Sequence, residues 1–137
     1  MVAATRREAR EHALSLTYER EVRAISAADL LADLPVAPDG YAVRLVTGIA
    51  DHLAEIDDLL TRFSEHWTLD RMPVIDRTLL RLGTYELVHE AEIPTAVAIS
   101  EAVELAKQYS TKDSGRFVNG LLSRIAIEVR PEEAAAS

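Results

Sequence analysis

Between Tyr41 and Phe63 the apolar residues Val46, Ile49, Leu53, Ile56, Leu60 and Phe63 recur at alternating steps of three and four. That spacing sets them along one face of an α-helix, while Asp51, Glu55 and Asp58 fall away from it. A stripe this long needs other apolar faces to cover it, and the rest of the chain supplies them in helical form. Gly48, one residue off the stripe, offers a point of close approach for a neighbouring helix.

The first helix is expected from about Ala3 to Ala24. At about 100° per residue, Arg6, Arg7 and Arg10 fall within an arc of roughly 100°. Ala9, Ala13 and Leu16 take another side, and Leu14, Tyr18 and Val22 form a second apolar row. Three arginines in the first turns oppose the helix macrodipole by roughly 0.3–1 kcal/mol each, a penalty that a phosphate partner would relieve. Ser26 and Asp29 form a capping-box pattern for a short helix carrying Leu30, Leu31 and Leu34, which Pro35 stops. Residues 35–40 read as a loop.

Residues 64–72 are expected to bend through a short helical turn, with Trp67 as a core anchor because its large apolar body gains most from burial. Pro73 suits the first position of the next helix, which carries Ile75, Leu79, Leu82 and Leu87 and ends before Ile93 and Pro94. After Pro94 and Thr95 another helix turns Ile99, Ala102, Val103, Ala106 and Tyr109 inward. Ser110 to Ser114 form a polar break. In the last helix Asp113 or Ser114 supplies the cap, then Phe117 or Val118, Leu121 or Leu122, and Ile125 share a face. Asn119-Gly120 falls in the middle of it, where glycine costs about 1 kcal/mol relative to alanine, so a packing or binding reason is expected. No segment alternates at period two. The fold expected is all-α, with six to seven helices.

Charge divides the chain unevenly. The net charge is −8. Residues 1–23 carry five Arg against four Glu, and residues 107–124 carry Lys107, Lys112, Arg116 and Arg124 against Asp113 alone. Residues 24–106 carry five Arg against fifteen acids. Positive charge therefore sits near the two ends, and if those ends meet they form one basic patch on an acidic body.

Several chemistries find no support. With no cysteine there is neither a disulfide framework nor a thiolate metal site. His12, His52, His66 and His89 lack the spacing of known zinc motifs, so no metal site is expected. The glycines compose no phosphate-binding loop, no nucleophile elbow is present, and no catalytic residue or cofactor is assigned. No apolar run reaches the roughly 18–20 residues of a membrane span, and the N-terminus is not that of a secretory signal, so a cytoplasmic protein is expected.

Four stretches, in order and at compatible spacing, resemble the NusB family of bacterial transcription antitermination factors. Arg6-Arg7, Ala9-Arg10-Glu11, Ala13 and Tyr18 are similar to the family's arginine-rich first helix. Asp76-Arg77, Leu80-Arg81 and Tyr85-Glu86-Leu87 are similar to its central helix. Ile93-Pro94, Val97-Ala98-Ile99 and the run Glu101 to Lys107 match the next, and Asp113-Ser114 with Phe117-Val118-Asn119-Gly120-Leu121-Leu122 completes the pattern. Glu8 and Thr17 depart from it, interrupting the basic run and replacing a common leucine.

The resemblance implies two three-helix subdomains, roughly 1–65 and 66–130, in one domain spanning 1–130, followed by a flexible tail at 131–137. It implies binding of boxA RNA of nascent ribosomal-RNA transcripts together with NusE, a small-subunit ribosomal protein. The pair would join the elongating RNA polymerase through other Nus factors and suppress premature termination. By resemblance Arg6, Arg7, Arg10, Arg116, Phe117 and Asn119 contact RNA, with Gly120 allowing close approach. Tyr18, Asp76 and Asp70 face NusE, a basic partner suited to an acidic surface. For Phe117 and Tyr18 ordinary core burial stays open, as does a solvated helix acid for Asp76. Two other readings stand beside this one. NusB-like domains also precede ribosomal-RNA cytosine methyltransferases, though these 137 residues hold no cofactor-binding domain and no cysteine nucleophile. A structural helical homodimer is the third.

Overall fold

The helical stripe from Val46 to Phe63 survives in the structure, but not as one helix. A computed structural model of the protein describes residues 5–65 and 67–136. In it α1 runs Arg6–Arg23, α2 Ala27–Asp33, α3 Gly40–Asp51 and α4 Leu53–Phe63. After a 3-10 turn at Leu69–Arg71 come α5 (Val74–His89), α6 (Thr95–Tyr109), α7 (Ser114–Val129) and α8 (Pro131–Ala136). No strand occurs among the described residues. The chain is all-α, as its periodicity predicts.

The break between α3 and α4 falls at His52, with φ −111° and ψ 20°. The expected continuous helix is therefore corrected to two, although the stripe carries across: Val46, Ile49, Ile56 and Leu60 are buried, and Leu53 and Phe63 pack against the core from its edge. Tyr85 explains Gly48. A Cβ there would sit 2.3 Å from the Tyr85 ring, so only glycine lets α3 and α5 approach this closely.

Helix α5 occupies the centre and touches α1, α3, α4, α6 and α7. Leu79, Leu80, Leu82 and Leu87 are buried along it, and the buried hydrophobics from Ala9 to Ala126, Leu59 aside, make one connected cluster. The end of α5 is held by Arg130, whose guanidinium donates to the carbonyls of Leu87 (2.9 Å), Glu90 (3.1 Å) and Ile93 (2.7 Å). The first two are among the carbonyls a helix C-terminus leaves without partners, and the third belongs to the loop that follows.

Helix starts follow side-chain chemistry. α1 opens on a capping box in which Glu8 N–H donates to Thr5 Oγ1 and Thr5 N–H to Glu8 Oε1, both at 3.0 Å. Glu8, which interrupts the basic run, thus has a structural task, one legible in the Thr-x-x-Glu pattern. Ser26 caps α2 through the Asp29 amide at 3.0 Å. Pro73 stands one residue before its expected place, at the cap of α5 rather than its first position.

Two expected core aromatics lie at the surface. Trp67 is 45% exposed and Tyr109 46%, because each finds a partner at the rim of the core: Phe117 for Trp67 and Glu11 for Tyr109. Residues 131–136, expected as flexible tail, continue as α8, and the Thr95 hydroxyl donates to Glu133 at 2.6 Å. Ala3, where the first helix was expected to start, and His66 lie outside the described residues. No helix among the described residues is long and apolar enough to cross a membrane.

Candidate nucleic-acid and partner surface

The first turns of α1 send their arginines to three different environments. Arg6 is exposed and lies over the Tyr41 ring, its guanidinium carbon 3.8 Å from the ring centroid. Arg7 is exposed and reaches Glu101 on α6, Nε to Oε2 2.9 Å. An ion pair at the surface contributes only about 0–1 kcal/mol, so a phosphate can compete for Arg7. Arg10 corrects the expectation that it contacts RNA. It is 1% exposed, and its Nε donates to both carboxylate oxygens of Glu86 at 3.1 and 3.0 Å.

Around Glu86 the structure assembles a buried polar joint. The Tyr41 hydroxyl donates to the same carboxylate, and burial followed by that bond pushes the Tyr41 phenol far above its ordinary range. Beside it, the Tyr85 hydroxyl donates to Glu90 Oε2 at 2.8 Å, as does Arg44 Nε at 2.8 Å. Burial and Glu90 push the Tyr85 phenol up to about 12. This joint ties α1 and α3 to α5, which explains why an arginine four residues from Arg6 turns inward.

Whether the basic ends meet is answered by Lys107. Arg7 lines a cleft with Glu104, Lys107 and Gln108, so one N-terminal arginine and the start of the basic segment 107–124 adjoin there. Phe117 lies beyond, in another cleft.

A chain of hydroxyls sets the start of α7. Ser110 Oγ donates to Asp76 Oδ1 at 2.5 Å, Ser114 Oγ donates to Ser110 Oγ at 3.0 Å, and Ser114 Oγ accepts from the Thr111 amide at 3.1 Å. The expected cap is corrected: Asp113 occupies the cap position of α7 without a side-chain bond, and Ser114 turns back onto the preceding break. From this anchored turn Phe117 emerges half-buried, its ring edge-on to Trp67 with centroids 5.2 Å apart and 63° between planes. Trp67, Pro73, Asp76, Thr111, Phe117 and Arg124 line a cleft of about 520 Å³. Trp67, whose apolar bulk reads as core, instead lines this cleft.

Val118, Leu121, Leu122 and Ile125 form the buried face of α7, while Arg116 and Asn119 are exposed. Of the two reasons expected for Gly120, packing inside the protein finds no support, which leaves the binding one. A Cβ there would meet nothing nearer than Arg124 Nη1 at 3.7 Å.

The residues expected to face NusE divide. Tyr18 is 43% exposed and lines a cleft of about 500 Å³ with His12, Ser15, Ile75 and Tyr109. Asp70 is exposed in the 3-10 turn, where the Thr68 hydroxyl, 2.5 Å away, holds its carboxyl below the usual range. Arg77 links the two regions, donating to Leu69 O at 3.0 Å and pairing with Glu21, one turn beyond Tyr18. Asp76 is instead 2% exposed and accepts from Ser110 at the base of the Trp67–Phe117 cleft, a correction to its reading as either a partner contact or a solvated acid.

Known proteins share this fold. The family model described as the NusB family matches residues 7–127. The transcription antitermination protein NusB of Salinispora arenicola is 51% identical over 128 residues, covering 88% of this chain and 94% of that protein. That of Kineococcus radiotolerans is 47% identical over 127 residues, covering 90% and 93%. Among solved structures, T. maritima NusB superposes with a TM-score of 0.85 at 40% identity, covering 99% of this chain and 100% of that one. A chain in a crystal structure of antitermination factors NusB and NusE in complex with dsRNA gives 0.77 at 28% identity, covering 90% and 96%. With the match spanning nearly all its helices, the chain belongs to the NusB family.

Proposed function

We propose that this chain is an RNA-binding transcription antitermination factor that works with NusE. The observation that supports the reading most is the full-length likeness to NusB proteins, including one in complex with NusE and RNA. On this reading it binds boxA RNA of nascent ribosomal-RNA transcripts, joins the elongating polymerase in the cytoplasm, and catalyses no reaction.

On this reading the work is divided among the exposed residues of separate clefts. Arg6, Arg7 and Lys107 supply phosphate contacts. Phe117, backed by Trp67, supplies a stacking face, with Arg116 and Asn119 beside it for backbone and base-edge contacts. Single-stranded RNA is held by this combination of cationic contact, stacking and amide hydrogen bonding. NusE docks at the exposed Tyr18 and Asp70, where the Tyr18 cleft receives an apolar side chain and the acidic body attracts a basic protein.

The test is fluorescence anisotropy with boxA-type RNA, measured with and without NusE. NusE is expected to tighten binding to boxA and to leave a scrambled RNA weak. Equal affinity for the two RNAs in the presence of NusE would refute the proposal.

A further inference from the structure

At the break between α3 and α4 three metal-ligating side chains from two distant parts of the chain converge. His52 stands between the two helices, Glu55 lies in the first turn of α4, and His89 ends α5. One ligand atom from each lies within 4.8 Å of the other two. His89 Nε2 is 2.6 Å from Glu55 Oε1. The His52 and His89 rings stack, centroids 3.8 Å apart and 24° between planes. The Tyr85 ring flanks both, 6.3 Å from His52 and 5.5 Å from His89. Sequence spacing hides this group, because His89 is supplied by a different helix from the other two.

None of these residues belongs to the surface assigned to RNA or NusE, and none is deeply buried: His52 and His89 are half-buried and Glu55 is exposed. The hydrogen bond and the ring stack alone would account for their contact. The donor set says more. Two imidazoles and one carboxylate are the ligands of three-coordinate protein sites for Zn²⁺, the fourth position being left to water. Bonds of about 2.0–2.2 Å in tetrahedral array put neighbouring donors roughly 3.4 Å apart, between the 2.6 Å contact and the 4.8 Å limit found here. The donor atoms are thus already spaced in the range that a shared ion requires.

The geometry points to a Zn²⁺-binding site formed by His52, Glu55 and His89. Nitrogen donors favour Zn²⁺ and similar transition ions over Mg²⁺ and Ca²⁺, which take oxygen ligands. Because stacked rings do not aim their lone pairs at one point, one imidazole turns out of the stack to bind. The ion replaces the His89–Glu55 hydrogen bond and pins the α3–α4 break to the end of α5, stabilising the native state by mass action.

The test is titration calorimetry of the chelator-treated full chain with ZnCl2, alongside imidazole NMR. Wild type is expected to bind one Zn²⁺ saturably, to give no saturable heat with MgCl2, and to shift the His52 and His89 ring resonances together. The His52→Ala/His89→Ala variant should lose the binding, and His12→Ala should keep it. Glu55→Gln, at an exposed position that leaves the helices intact, should weaken binding even if the double variant fails to fold. Absence of saturable Zn²⁺ binding by wild type, or undiminished affinity in Glu55→Gln, would overturn the proposal.

Discussion

Arg10 and Glu86, 76 positions apart, meet inside the protein with Arg10 Nε 3.0 Å from Glu86 Oε2. The pair holds α1 against the central helix, and its arginine is closed to solvent. It separates the arginines of α1 into two classes, one structural and one available to a ligand.

Arg10→Ala leaves the Glu86 carboxylate buried with, among the described residues, Tyr41 alone as a hydrogen-bond partner. Removing one member of a buried pair costs about 3–5 kcal/mol, a large part of a domain's stability. Urea unfolding should show that loss, whereas Arg6→Ala should cost no more than about 1 kcal/mol, the range of an exposed cation–π contact. Similar midpoints for the two variants would contradict the division.

Two glycines should respond oppositely to alanine. Gly48→Ala drives a methyl into the Tyr85 ring and is expected to cost about 1–3 kcal/mol, the range for overpacking. Gly120→Ala meets open space inside a helix and is expected to gain up to about 1 kcal/mol. Thermal unfolding of both variants checks the pair.

Alkaline stability follows from the tyrosines of the joint. The folded state holds the Tyr85 phenol protonated up to about 12, while the unfolded chain ionises near the ordinary value of 10.0. Stability is therefore intact below the unfolded value and is lost as pH rises from there through the folded one. Tyr85→Phe should flatten that part of a stability–pH profile measured by urea unfolding. An unchanged slope would show that the phenol does not carry it.

Phe117→Ala removes the stacking face while the buried row Val118, Leu121, Leu122 and Ile125 keeps α7 in place. Stacking of one base contributes about 1–3 kcal/mol, so RNA affinity with NusE present should fall by that amount while the circular dichroism spectrum is retained. Trp67→Ala should weaken binding in the same direction, since it backs the Phe117 ring.

Much of this was legible from the sequence, and the exceptions share a cause. The row Val118, Leu121, Ile125 announces its buried face, and the stripe Val46 to Leu60 announces its own, because periodicity reports local geometry. The break at His52 is hidden since the stripe runs through it unchanged. Arg10 and Arg6 are indistinguishable by helical phase, and only Glu86, far along the chain, decides which one is buried. Asp76 is likewise claimed by Ser110. Trp67 and Tyr109 look like core residues because bulk alone does not tell a rim from a centre. Long-range partners settle each case, and periodicity carries no information about them.

The salt dependence of RNA binding tests the central claim most directly. For single strands the slope of log K against log salt is about −0.7 per neutralised phosphate, so replacing Arg6 and Arg7 with alanine should make it shallower by about 1.4. That measurement, made on the complex with NusE, is predicted to show the shallower slope with NusE binding unchanged. A slope equal to wild type would contradict the assignment of these two arginines to the RNA.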